Sequence, residues 1–254
     1  MQRGLYITAT SMMTQTRKMD VITNNVVNAE TAGYRKDDVI SSSFRDQYLV
    51  RLEDPNTMSV YNAPRIGLQN KGVYVDELKT TFARGSLDMT ERTGDMALTE
   101  DGFFVISTPE GDRYTRAGNF IVNSQGYLTT NEGYMVQDAS GGNILVGNQD
   151  FIVDDSGQIS INDEVVTTLN TVSFDDNGWL RKVGNNLFMN YEDRAAIQPY
   201  EGAVKQGYLE TSNVDVGREM VDMMTTYRLY ETSQRMAKII DETLQKAVNE
   251  ISRL

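Results

Sequence analysis

Apolar residues recur at seven-residue intervals at the two ends of this chain. Leu5, Met12, Met19 and Val26 keep that interval near the start, with Ala9 and Ile22 on the same stripe, and no proline occurs from Gly4 to about Glu30. Apolar positions three, four and seven apart share one face of a helix, so the pattern predicts an amphipathic helix. Asn24-Asn25 and Thr31-Ala32-Gly33 are turn-prone, and Gly33 suits a left-handed helix end, which predicts a stop near residue 30. At the other end Val216, Met223, Tyr230, Ala237, Leu244 and Ile251 repeat the interval, with Met220, Tyr227 and Val248 at the offset heptad positions. From about Val214 to Leu254 there is no proline and one glycine, Gly217. Ser212 followed by Asp215 reads as a capping box, and about 40 residues at ~1.5 Å each give a rod of roughly 60 Å.

Between the ends the punctuation changes. Residues 34 to 74 pass through Pro55-Asn56 and Pro64 without a sustained period and read as a connector, with a short helix predicted from Ser43 to Arg51 because Phe44, Tyr48 and Arg51 are spaced helically. From about residue 75 to 205, turn clusters such as Asn123-Ser124-Gln125-Gly126, Ser140-Gly141-Gly142 and Asp155-Ser156-Gly157 alternate with short β-prone runs. Those runs include Phe103–Ile106, Phe120–Val122, Tyr127–Thr129, Phe151–Val153 and Val172–Phe174. Short strands with turns every ~8–12 residues indicate an antiparallel all-β domain. The expected fold class is therefore α+β: a helical core from residues 1–33 and 206–254, a connector at 34–74, and a β-rich domain at 75–205.

Composition removes most chemistry. The 254 residues contain no cysteine and no histidine, which excludes a disulfide framework, a thiol nucleophile, a zinc-thiolate site and the commonest general base near neutral pH. A net charge of -12 argues against nucleic acid and anionic membrane surfaces as partners. No stretch approaches the ~20 apolar residues of a membrane span, and the opening Met1–Tyr6 leads into Thr8, Thr10 and Ser11, so neither an anchor nor a cleavable signal is expected.

A long helix with an apolar seam is unstable alone in water, because helices in proteins are stabilised mainly by packing that seam. The segment with matching periodicity is the first one, so the two ends are expected to pair. The first helix is shorter, and Thr8, Gln15 and Thr16 interrupt its stripe, so apolar surface is left for other copies. Gln234 and Asp241 interrupt the second heptad position, and methionines at 12, 13, 19, 220, 223, 224 and 236 supply adaptable side chains for inequivalent neighbours. The plainer reading makes these residues the core of one domain.

The segment Asn24-Asn25-Val26-Val27-Asn28-Ala29-Glu30-Thr31-Ala32-Gly33-Tyr34-Arg35-Lys36 resembles the signature of bacterial flagellar rod, hook and hook-associated proteins. Gly102–Ile106, Arg113–Phe120 and Gly207–Asp215 fit the same family in the same order. The opening Arg3-Gly4-Leu5-Tyr6 and the length are similar to its basal-body rod members, of the FlgF and FlgG kind, while Val27 and Glu30 stand where the family carries leucine and valine. The resemblance implies a non-enzymatic subunit, exported by the flagellar type III apparatus without a cleaved signal, joining rod and hook subunits beneath a rod cap in a hollow shaft. It implies no cofactor, metal or small-molecule substrate. The expected assembly interface is Leu5, Met12, Met19, Val26, Asn24, Asn25, Asn28, Gly33, Val216, Met220, Met223, Tyr227, Tyr230, Ala237, Leu244 and Ile251. A secreted β-rich binding module with a helical oligomerisation stalk, or a hook or hook-associated axial protein, is the alternative.

Other features invite chemistry and have plainer readings. Asp154-Asp155-Ser156-Gly157 and Asp175-Asp176-Asn177-Gly178 resemble parts of calcium loops but lack the closing glutamate, so turn chemistry is expected. Glu100-Asp101 with Glu110-Asp112 mimics a glycosidase pair with no fixed separation. Trp179, Tyr114 and Tyr134 suggest a carbohydrate face or ordinary packing. Arg35-Lys36 and Arg113-Arg116 are too sparse for a nucleic-acid patch and read as solvated faces or inter-subunit ion pairs.

Overall fold

The structure, a computed structural model, describes residues 2–50, 65–147, 150–162 and 164–251. It is α+β and divides into two compact units, one of residues 1–26, 37–79 and 217–254 and one of residues 27–36 and 80–216.

The first unit holds helix α1 (Gln2–Val27), helix α2 (Val216–Ile251) and strands β1 (Asp37–Ser43), β2 (Gln47–Val50), β3 (Arg65–Gln69) and β4 (Val73–Thr80). β1 pairs with β4, and β2 pairs antiparallel with β3 from Gln47 opposite Gln69 to Leu49 opposite Gly67. The helix expected from Ser43 to Arg51 is therefore absent over its described part. Tyr48, Leu49 and Val50 are β-prone, and pairing with β3 satisfies their main-chain groups in a way that one isolated helical turn does not. Arg51 lies outside the described residues, as do Pro55, Asn56 and Pro64. A tilted ring ladder, Tyr6 to Phe44 at 6.2 Å and Phe44 to Tyr74 at 5.0 Å, joins α1 to this sheet material.

The second unit is all strand and turn. Its main sheet is built on β7 (Phe103–Thr108), which pairs antiparallel with β8 (Gly111–Thr115), β11 (Met135–Val136) and β15 (Thr171–Phe174). Phe104 and Ile106 face one core with Phe120, Leu128, Val136 and Leu187. Phe103 and Val105 face a second with Tyr114, Val172, Leu180 and Phe188. Side chains alternate across a strand, and the Phe103–Ile106 run is apolar at every position because both faces of β7 are covered. The expected runs at 120–122, 127–129, 151–153 and 172–174 all contain strand.

Phe104 is fully buried and stacks edge-on with Phe120 at 5.1 Å. Phe104→Ala is expected to cost about 3–5 kcal/mol, read as a shift of the urea midpoint by fluorescence of Trp179, the single tryptophan.

Candidate assembly site of the terminal segments

Three contacts fix how α1 lies on α2. The Ser11 and Ser233 hydroxyls are 3.1 Å apart, the Asn25 amide donates to Glu219 at 3.4 Å, and a Cβ on Gly4 would meet Ile240 Cδ1 at 2.9 Å. Residue numbers in each pair total 244, so the helices run antiparallel in one continuous register. Along α2 the positions turned inward are Glu219, Met223, Thr226, Tyr230, Ser233, Ala237, Ile240, Leu244 and Ala247, buried or half-buried at alternating spacings of four and three.

This differs from the expected stripe. Met223, Tyr230, Ala237 and Leu244 do line the seam, but their companions are the polar or small Glu219, Thr226, Ser233 and Ala247 together with Ile240. The offset row Met220, Tyr227, Gln234, Asp241 and Val248 is exposed, as is Val216. The facing side of α1 is small and polar at Gly4, Thr8, Ser11 and Gln15 and turns apolar only at Ile22, which is buried. Buried Thr14 and Thr226 return their hydroxyls to Thr10 and Asp222 carbonyls one turn back, so neither leaves an unsatisfied group. On α1, Leu5, Met12, Met19 and Val26 are half-buried, Asn25 is buried and Asn24 is exposed. The Ile251 side chain lies outside the described residues. The expected capping box does not form: Asp215 immediately precedes the first helical residue, and the Ser212 hydroxyl accepts from Val214 N–H at 3.3 Å.

Asn25 also fastens the chain after the turn. Its amide donates to Asp37 O at 2.9 Å and its oxygen accepts from Asp37 N–H at 3.1 Å, both bonds lying within the first unit.

Residues 27–36 belong to the second unit, and there the signature turn is held by a buried ion cluster. α1 ends at Val27, so Gly33 is not its cap. It occupies the left-handed region at φ +64°, and a Cβ there would stand 2.5 Å from Ala117 N, which only glycine avoids. Asn28 is half-buried and its carbonyl accepts from Thr31 N–H at 3.1 Å. Glu210 receives Arg35 at 2.7 Å on one oxygen and Arg116 on the other, with the Gly85 N–H at 2.9 Å and its own carbonyl accepting from Gly33 N–H at 2.7 Å. Arg116 also donates to the carbonyls of Gly102 at 2.6 Å and Leu98 at 3.0 Å. Arg35 donates to Ala83 O at 2.9 Å, and burial pushes its guanidinium below the ordinary value, partly opposed by Glu210. Asn213 completes the latch, accepting from Lys36 N–H at 2.8 Å and donating to Thr81 O at 2.8 Å.

Arg35 and Arg116 are thus neither solvated nor free for other subunits: each is 2% exposed. Sequence reasoning missed this cluster because two arginines and one glutamate separated by many residues carry no periodic signal. The hint was that all three fall inside the family-like segments. The remaining tempting features have local accounts. Asp154 accepts from Ser156 Oγ, Ser156 N–H and Gln158 N–H at 2.8 to 3.0 Å, which holds its carboxyl below the usual range. Asp176 accepts from Gly178 N–H at 2.8 Å. Tyr114 packs edge-on to Phe174 at 4.9 Å, and Arg194 covers the Trp179 ring at 4.7 Å.

The first unit thus carries the antiparallel pair of terminal helices, and the second clasps the turn between Asn28 and Lys36. Three family models match: flagella basal body rod protein over residues 5–35, the flagellar hook protein FlgE/F/G D1 domain over 97–180, and the flagellar basal body rod FlgEFG protein C-terminal over 205–250. The chain is 34% identical to the flagellar basal-body rod protein FlgG of Bacillus subtilis, covering 98% of this chain and 99% of that one. It is 30% identical to the flagellar hook-basal body complex protein FlhO of the same organism over the whole of both chains. It is also 29% identical to the rod protein FlgF of Caulobacter vibrioides over 100% of this chain and 98% of that one. The chain belongs to the flagellar basal-body rod protein family.

Removing one member of a buried ion cluster leaves the others uncompensated, at a cost of about 3–5 kcal/mol. Glu210→Ala should destabilise the β unit by that amount in urea unfolding followed by Trp179 fluorescence. Gly33→Ala should cost about 1–3 kcal/mol through its backbone conformation alone, with further loss from the clash, in the same assay.

Proposed function

We propose that this chain is a structural subunit of the bacterial flagellar basal-body rod, without catalytic activity, which polymerises through its terminal helices into a hollow helical shaft carrying motor torque to the hook. The observation that carries this reading is the helix seam. α1 and α2 bury a narrow line of mixed apolar and polar residues against each other and leave Met220, Met224, Tyr227, Met236, Ile239 and Val248 exposed on α2. An uncovered apolar row on a long helix is stabilised by covering it, and neighbouring copies are the economical cover. Full-length likeness to proteins named for the rod supports the same assignment. Contacts that repeat head-to-tail without closing a ring produce an open filament, which is the geometry a shaft requires. Its neighbours are then other rod and hook subunits, with the rod cap and the type III export apparatus as partners during assembly, and its place is the basal body outside the cytoplasmic membrane. No helix among the described residues is long and apolar enough to cross a membrane.

The test is Leu244→Pro. Proline in a helix interior costs about 3 kcal/mol or more, so the variant should be missing from isolated basal bodies and its cells should not spread in soft agar. Its Trp179 fluorescence should remain that of the wild type. Normal incorporation of the variant would overturn the reading.

A further inference from the structure

We propose that Asn177-Gly178 is a site of spontaneous deamidation, and that Asp176 holds the reaction in check for as long as the β unit stays folded. Asn177 is the one asparagine in the sequence that is followed by glycine. In such a pair the main-chain nitrogen of the second residue can attack the side-chain amide carbon of the first, and glycine, without a Cβ, opposes the ring closure least. The atoms balance without an enzyme. The Gly178 nitrogen bonds to Asn177 Cγ and gives up its proton, the side-chain nitrogen leaves as ammonia, and a five-membered imide forms. Water then opens the imide at either carbonyl, giving aspartate or its isomer in which the main chain runs through the side-chain carboxyl.

The fold supplies both halves of the proposal. Asn177 opens a single 3₁₀ turn, Asn177–Trp179, between β15 and the strand that starts at Leu180. Its side-chain oxygen is buried and accepts no hydrogen bond among the described residues, so no donor holds it. Gly178 is exposed, so water reaches the imide. The contrast is Asn123, which precedes Ser124 in another turn: its side-chain oxygen accepts from Gln125 N–H at 2.9 Å and from Tyr127 N–H at 3.0 Å. The peptide between Asn177 and Gly178 is nevertheless held at both ends. Asp176 caps the turn and accepts the Gly178 N–H at 2.8 Å, while the Asn177 carbonyl accepts from Leu180 N–H. A plane fixed in this way cannot turn its nitrogen onto the neighbouring side chain without breaking both bonds. Asp176 is placed in turn by its own N–H, which donates to Asp175 Oδ1 at 2.8 Å, the atom that also receives Ala196 N–H at 2.9 Å. Unfolding releases these bonds together and frees the nitrogen. The change is then kept as a mark on the chain: a new carboxylate beside Asp175 and Asp176, or an extra main-chain carbon next to the turn where Arg194 covers Trp179.

The test follows the amide-to-acid change at each asparagine by tandem mass spectrometry, in the full chain kept at mildly alkaline pH either folded or unfolded in urea. In urea Asn177 is expected to convert before Asn123 and every other asparagine, and in the folded chain it should convert far more slowly. Asp176→Ala should speed the folded-state reaction roughly fivefold, the rate factor that one N-cap hydrogen bond represents. Asp176→Asn, which keeps an acceptor at the same place, should stay near the wild type. The urea midpoint of each variant, read by Trp179 fluorescence, separates release of this turn from loss of the whole unit, and the comparison of folded with unfolded wild type stands without any variant. Equal rates at Asn177 in the folded and unfolded chain would overturn the proposal, as would another asparagine converting first in urea. An Asp176→Ala chain that reacts no faster than the wild type would remove Asp176 as the guard, and one that reacts more slowly would make its carboxylate the base for the attack; either result rejects the proposal.

Discussion

Everything about the helical unit follows from the narrowness of the line that α1 and α2 share. Glycine, serine and threonine on one side meet glutamate, threonine, serine and alanine on the other, and these small groups let the two backbones approach closely at a fixed register. Met223, Tyr230, Ile240 and Leu244 still enter this line, and the large side chains of the next row, Met220, Tyr227 and Val248, are left outside it. A wide leucine seam would have sheltered the methionine and tyrosine rows and left a self-sufficient hairpin. The pair is instead specific within the chain and incomplete as a body, which are the two properties a polymerising unit needs.

The β unit solves the opposite problem. It has two apolar cores on the two faces of β7, yet at the point where the signature turn meets it the contact is ionic. A buried cluster of two guanidinium groups and one carboxylate is a poor source of net stability, since desolvation consumes much of the attraction. What it provides is direction: Glu210 can be satisfied by Arg35, Arg116 and the Gly85 N–H in one arrangement only. Gly33 adds a backbone constraint to the same spot, so the turn is over-determined by geometry rather than by oil.

The sequence was legible where repetition carries information. The seven-residue interval located both helices, turn clusters located the short strands, and the apolar run at Phe103–Ile106 located the central one. It misled where several registers share one period. Positions 220, 227 and 248 keep the apolar interval as well as 219, 226 and 233 keep the polar one, and only the partner decides which row turns inward. In the stretch from Ser43 to Arg51 three helically spaced residues outweighed local β propensity, because pairing with a strand some twenty residues further on is a long-range fact. Arg35, Arg116 and Glu210 were read apart for the same reason: single charges look solvated until the fold brings them together.

One consequence belongs to two asparagines. Asn25 holds the main chain of Asp37 from both sides within the helical unit, and Asn213 holds the N–H of Lys36 within the β unit. Lys36 and Asp37 are consecutive, so the chain passes between two anchorages with no spare residue. A pull along the backbone at this place finds no slack to take up. Tension there would fall first on the hydrogen bonds of Asn25 and Asn213.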